Sequence, residues 1–236
     1  MTVSLVGAGP GDPGLITVKG LERVRACDVI VYDRLVAPEL VDEAPADALR
    51  IERDRLEQEE VNQLLVALGR RGDDVVRLKG GDPFLFGRGG EEALALADAG
   101  VSFEVIPGVS SLASVPGSAG IPVTHRGVAS AVTAFAAHDV EGLDAAALAA
   151  TPGTLVAFMG LAGLARLAER LIEHGRAAST PAAVISAGTT LDEEVVVAPL
   201  GSIAHAARGL RTPALVVVGE VVSLREALGL RRRFAA

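Results

Sequence analysis

The 236-residue chain is half apolar but only 3% aromatic, and it carries a net charge of −8 at neutral pH. That charge excludes a general nucleic-acid binder, and apolar runs this short and glycine-broken exclude a membrane span. With Cys27 the only cysteine and four histidines at no ligand spacing, an intrachain disulfide is excluded and no metal site is expected. The first residues lack the basic stretch of a signal peptide, which fits a reducing cytoplasm.

The chain opens with a strand at 3–6, a glycine-proline turn, and a helix at 17–26. A second strand at 28–32 ends in Asp33-Arg34; a short helix at 38–43 and a weak strand around 49–51 follow. A helix at 57–70 places Val61, Leu64, Leu65 and Leu68 on one face at helical spacing. Strand 74–78, a glycine-rich loop, helix 90–99 and strand 102–106 complete a β/α alternation that predicts a mainly parallel sheet. A different region starts at Pro107-Gly108-Val109-Ser110-Ser111, with strands at 131–136, 154–158, 181–186, 193–198 and 213–218 and helices at 144–150 and 163–173. The strands at 181–186 and 193–198 have no helix between them, only a turn through Gly188-Thr189-Thr190, so a hairpin and a mixed sheet are expected. The fold class is thus α/β with two α/β domains, residues 1–110 and 111–236. The cluster Arg231-Arg232-Arg233 reads as a solvated tail.

The segment Gly80-Gly81-Asp82-Pro83-Phe84-Leu85-Phe86-Gly87-Arg88-Gly89-Gly90-Glu91-Glu92 carries the most information. Its glycines let backbone approach a ligand, while Asp82, Arg88 and Glu91 bring charge to one place. A flexible connector is the bland alternative, but ordering Phe84 and Phe86 makes sense only if both pack. The turn Gly7-Ala8-Gly9-Pro10-Gly11-Asp12-Pro13 stands where a dinucleotide fold places its phosphate loop, and Asp33 mimics a ribose-binding acid. The details disagree with a nicotinamide cofactor. The third glycine is missing at its spacing, Pro10 and Pro13 remove backbone donors, and Asp12 repels a pyrophosphate. No Gly-Lys-Ser/Thr follows a glycine turn, so a P-loop is also excluded. Turns 7–13, 80–90 and 107–111 would share the carboxyl edge of a parallel sheet, where a ligand without phosphates is expected.

The chain resembles uroporphyrinogen-III C-methyltransferases of the tetrapyrrole methylase superfamily, from about Val3 to Leu224. The resemblance rests on Val6 through Pro13, Val31-Tyr32-Asp33-Arg34-Leu35-Val36, Gln58-Glu59-Glu60-Val61-Asn62, Arg77 through Glu92, and Pro107 through Ser111. It continues through Gly120-Ile121-Pro122-Val123-Thr124-His125-Arg126-Gly127, Phe158-Met159-Gly160 and Pro213-Ala214. It implies two domains around a cleft, a homodimer formed largely through the second domain, and methyl transfer from S-adenosylmethionine. The implied reaction methylates C2 and C7 of uroporphyrinogen III, giving precorrin-2 by way of precorrin-1 for sirohaem or cobalamin.

The resemblance carries cofactor contacts onto Pro10, Gly80, Gly81, Asp82, Leu85, Ser110, Ser111, Met159, Gly188 and Ala214. The alternatives are a core methionine for Met159 and a cap for the following turn for Asp82, with cofactor contact the expected role of both. For acid–base work the resemblance points to Asp33, or alternatively to Arg88 with Glu91. A guanidinium is a poor base, so Asp33 is the expected proton acceptor and Arg88 a substrate binder held by Glu91. Arg34, Thr124, His125 and Arg126 are the expected substrate side, since eight carboxylates call for a local basic patch; His125 could also be structural. The chain departs from the family pattern between Leu49 and Glu57, where a Gly-Lys-Arg-x-Gly-x-His loop is replaced and Arg53 or Arg55 are the cations left. Ser118 and Phe158 stand where tyrosines are usual, and Ala137 where a glycine is.

Overall fold

The computed structural model describes residues 2–229. The chain divides into two compact units, residues 1–111 and 112–236, each described by itself.

In the first unit five strands, β1 (Val3–Gly7), β2 (Val29–Tyr32), β3 (Leu49–Glu52), β4 (Val75–Lys79) and β5 (Phe103–Ile106), form one parallel sheet ordered β3-β2-β4-β1-β5. Strands β1 and β4 are buried along their whole length, as central parallel strands covered on both faces must be. One face packs on α1 (Val18–Val24) and α2 (Pro38–Asp42), with Val6, Ile30, Val76 and Leu78 at the core. The other packs on α3 (Gln58–Arg71) and α4 (Gly89–Asp98), where Leu5, Val29, Val31 and Val75 meet Val61, Leu65 and Leu96. Helix α3 starts in a reciprocal capping box between Glu57 and Glu60 and stops at Gly72, which takes a left-handed conformation.

Three turns at the carboxyl edge of this sheet lock into one another through backbone. Gly9 and Gly81 form an isolated antiparallel bridge, with Gly81 N donating to Gly9 O at 2.7 Å. A Cβ on Gly7 would stand 2.4 Å from the Cα of Gly108, and one on Gly108 would stand 2.2 Å from the carbonyl oxygen of Gly81. Asp82 completes the lock: Gly108 N donates to its Oδ2 at 3.0 Å, and Phe84 N to its Oδ1 at 2.8 Å.

The second unit holds a mixed sheet ordered β6-β7-β10-β8-β9. Its strands are β6 (Val132–Ala136), β7 (Thr154–Phe158), β8 (Pro181–Ser186), β9 (Glu194–Pro199) and β10 (Ala214–Val218). Only β6 and β7 pair in parallel; β7–β10, β10–β8 and β8–β9 are antiparallel, and the expected hairpin is the β8–β9 pair. One face packs on α7 (Leu164–Glu173) and α8 (Leu200–Ala206), the latter through Leu200 and Ile203, with α6 (Ala145–Ala150) alongside α7. The other gathers Val115, Ala119, Ile121 and Val221, around α5 (Ser111–Ser118) and the chain leading to α9 (Leu224–Leu228).

Every predicted strand and helix is present with ends shifted by one or two residues. Three helices, α5, α8 and α9, were not expected; α5 contains Pro116, which lacks the N–H that continues a helix. The arginine cluster at 231–233 lies outside the described residues. Among the described residues no helix is long and apolar enough to cross a membrane.

The interlocked turns yield a first prediction. Gly7→Ala should destabilise the chain by about 3 kcal/mol or more, because the clash is with backbone that no rotamer change relieves. Gly90→Ala, whose Cβ meets nothing within 4 Å, should cost less than about 0.5 kcal/mol in the same urea titration.

Candidate active site

Strand alternation puts Arg77 and Lys79 on the same face of β4 as Val75, towards α3 and α4. Both are 1% exposed, and the acid that receives them, Glu92 on α4, is fully buried. A single oxygen, Glu92 Oε1, accepts from Arg77 Nε at 2.9 Å, Lys79 Nζ at 2.8 Å and Gln58 Nε2 at 3.4 Å. Glu92 Oε2 has no hydrogen-bond partner. The far side of the same guanidinium reaches the end of β2, where Arg77 Nη2 donates to Asp33 Oδ1 at 2.5 Å. Arg77 Nη1 is held by the carbonyls of Val31 and Leu78 at 3.4 and 3.3 Å. Arg53, from the segment after β3, also approaches Asp33 Oδ1, at 3.6 Å.

Arg77, Lys79 and Gln58 floor a cavity of about 260 Å³, walled by Asp33, Arg34, Arg53, Asp54, Phe86 and Arg88. Five cations line it against two carboxylates, Asp33 and Asp54, so it is locally basic in an acidic chain. Arg34 pairs with Asp54 at 3.2 Å. Arg88 takes a left-handed conformation (φ 57°) at the start of α4 and forks onto Glu91, with Nε–Oε1 2.8 Å and Nη2–Oε2 2.7 Å. That exposed fork raises the Arg88 pKa and lowers that of Glu91. Lys79 is pushed down, first by burial and next by the Arg77 charge, against the opposing pull of Glu92.

The remaining expected residues divide between the units. In the first, Pro10, Gly80, Gly81, Asp82, Leu85, Ser110 and Ser111 lie in or beside the locked turns. A Cβ on Gly81 (φ 66°) would come within 3.3 Å of Ser111 Oγ, whereas one on Gly80 would touch only the Leu35 side chain at 3.4 Å. Each oxygen of Asp82 accepts from one backbone amide, so its carboxylate caps the turn and keeps further acceptor capacity. Phe84 and Phe86 correct an expectation: they are 57% and 41% exposed, Phe86 forms cavity wall, and neither is buried in the loop.

In the second unit, Met159 follows β7, Gly188 follows β8 and Ala214 opens β10. The pairings Leu215↔Phe158 and Ala214↔Ser186 bring all three to one edge of the sheet. Met159 is half exposed and left-handed (φ 56°), not a core methionine. Gly188 sits between Ala187 (φ 47°) and Thr189 (φ 70°), in a loop tied down by buried Glu193, whose Oε2 accepts from Thr189 N and Ser118 Oγ at 2.9 and 2.7 Å. Thr124, His125 and Arg126 belong to an exposed tight turn closed by the His125–Ala129 bridge. Among the described residues no group of three or more His, Cys, Asp or Glu could hold a metal.

Arg77, Lys79, Glu92 and Gln58 were not expected in the site; Arg53 is one of the two cations the sequence offers in place of the family loop. The available signal was two cations at period two in a strand that reads as buried, a placement that demands buried counter-charge.

The tetrapyrrole (corrin/porphyrin) methylase family matches residues 2–204. The chain belongs to this family. Siroheme synthase 1 of Yersinia enterocolitica is 48% identical over 231 residues, covering 94% of this chain and 49% of that protein. Siroheme synthase 2 of Aeromonas hydrophila is 45% identical over 235 residues, covering 96% of this chain and 50% of that protein. This methylase therefore spans about half the length of the curated relatives it matches. Among solved structures, uroporphyrin-III C-methyl transferase from Thermus thermophilus complexed with S-adenyl homocysteine is 39% identical (TM-score 0.84, covering 95% of this chain and 100% of that one). A cobalt precorrin-4 methyltransferase is 28% identical, with a TM-score of 0.87 over 94% of this chain and 95% of its own.

Two stability predictions follow from the buried charges. Glu92→Leu strands two cations and should cost about 3–5 kcal/mol, whereas Glu91→Leu breaks an exposed fork and should cost at most about 1 kcal/mol by urea unfolding. Lys79 is depressed in the folded state, so between its folded pKa and 10.5 the unfolded chain binds more protons and stability rises with pH. Lys79→Met should remove that alkaline rise, read as a wild-type-minus-variant difference in unfolding free energy across the same window.

Proposed function

We propose that this chain uses S-adenosylmethionine to methylate uroporphyrinogen III at C2 and C7, giving precorrin-2 by way of precorrin-1 for sirohaem or cobalamin synthesis. The observation that carries the reading is the basic cavity beside three backbone-locked glycine turns, a pairing suited to a polycarboxylate next to a ligand without phosphates. The Thermus thermophilus relative, complexed with S-adenyl homocysteine, supports the choice of cofactor.

The residues present fit such a cofactor. Gly80 leaves open approach to the turn, and Pro10, Gly81, Leu85, Ser110 and Ser111 offer small side chains and backbone groups in the first unit. Met159, Gly188 and Ala214 share one sheet edge in the second. S-adenosylmethionine supplies an electrophilic methyl group on its sulfonium. The chain has to align the substrate, exclude water and remove a proton. Arg34 and Arg88 face the cavity as forks for acetate or propionate groups, and Thr124, His125 and Arg126 are further substrate contacts in this reading. Asp33 Oδ1 is engaged by two cations while Oδ2 is engaged by neither, so Asp33 is the proton acceptor, with Arg88 and Glu91 the alternative pair. The same reading has the protein working in the cytoplasm as a homodimer.

Incubation with uroporphyrinogen III and labelled S-adenosylmethionine should give a product heavier by two methyl groups. Product formed only from another tetrapyrrole would move the chain to a different methylase of the family, and binding of NAD in preference to S-adenosylhomocysteine would overturn the reading. Gly81→Val should abolish S-adenosylhomocysteine binding by calorimetry, because the side chain fills the turn at a left-handed position.

A further inference from the structure

We propose that Arg77 is a positioning residue for proton removal, with Glu92 as its anchor. The inference rests on the reading that Asp33 takes the proton released by the methylated ring. Asp33 sits at the open end of β2, where nothing in its own loop fixes the carboxylate. The one short contact it has is Arg77 Nη2 at 2.5 Å, from a side chain that lies in the cavity floor only 1% exposed and is engaged by protein acceptors at every nitrogen. Arg77 acts through Asp33 or not at all.

The guanidinium has little freedom. Its Nε is spent on Glu92, its Nη1 on two carbonyls and its Nη2 on Asp33, so all three nitrogens of the plane are fixed by acceptors on β2, β4 and α4. A planar fork held on one edge by a buried acid sets the direction of the carboxylate on the other edge. Because Arg77 and Arg53 both meet Oδ1, Oδ2 is the oxygen the arrangement keeps for the cavity. Lysine 79 neutralises the remainder of the Glu92 charge, so the acid can hold Arg77 without drawing it away from Asp33.

A lysine at 77 keeps a charge but cannot bridge two carboxylates. Arg77→Lys should lower kcat for methyl transfer to uroporphyrinogen III by about tenfold or more, leaving KM and S-adenosylhomocysteine affinity within about twofold. The deciding measurement is a double-mutant cycle with Asp33→Asn. If Arg77 acts through Asp33, adding Arg77→Lys to Asp33→Asn should change the residual rate by less than about twofold. Glu92→Gln, which keeps an acceptor oxygen for Arg77, runs through the same cycle should Arg77→Lys not fold. Losses that multiply in the cycle, or a fall in cofactor affinity matching the fall in rate, overturn the positioning role while the proposed activity stands. Full activity in Asp33→Asn overturns the positioning role and moves proton removal to the Arg88–Glu91 pair while the proposed activity stands; a wild-type chain that transfers no methyl group to uroporphyrinogen III overturns both.

Discussion

The Glu92 carboxylate is removed from water completely and neutralised through one oxygen by Arg77 and Lys79. Desolvating three charges is costly, and a hydrophobic substitute of equal volume would often be as stable. What the ionic cluster provides is placement. It ties the first turn of α4 to the end of β4, and through Arg77 it reaches the end of β2, so one polar network sets how three elements meet at the carboxyl edge. Apolar packing between the same elements is less particular about angle, because dispersion contacts have no preferred direction.

Two kinds of rigidity therefore meet at this edge. The glycine turns are held by backbone against backbone, at separations that leave no room for a side chain. The cavity floor is held by charge against charge. Neither depends on the long exposed side chains of the rim, so Arg34 and Arg88 can adjust to a substrate while the floor stays fixed. Their pairs with Asp54 and Glu91 are solvent-facing and readily exchanged for a ligand carboxylate.

Much of this architecture is legible in the sequence, for reasons that particular elements make plain. Strands such as 75–79 and 154–158 announce themselves as short β-branched runs between glycines. Helix α3 announces itself by the spacing of Val61, Leu65 and Leu68. Helix α8 did not, because it follows β9 without a spacer and opens on Gly201 and Ser202, which carry little helical preference; Leu200 and Ile203 form it by packing. Asp33, Arg34 and Arg88, which the family resemblance points to, line the cavity from a strand end and a glycine loop, where charged residues are easily noticed. Arg77 and Lys79 were hidden inside a strand, and the acid that explains them lies a loop away on a helix. Their pairing is a fact of tertiary structure, visible only as an oddity in a buried run. The two phenylalanines mislead the other way: aromatics in a loop imply burial, while the fold leaves Phe84 and Phe86 exposed.

The contact between Gly7 and Gly108 also bears on how the protein is made. About a hundred residues separate the two, yet the cradle exists only when their backbones touch with Gly81 between them. During synthesis the first four strands can pair before residue 108 has emerged, but the interlocked edge remains unfinished until β5 docks beside β1. A ribosome-bound chain shorter than this has most of its first sheet and none of the interlock between its turns. Any ligand seated in the completed cradle then stabilises the last strand to arrive as much as the first.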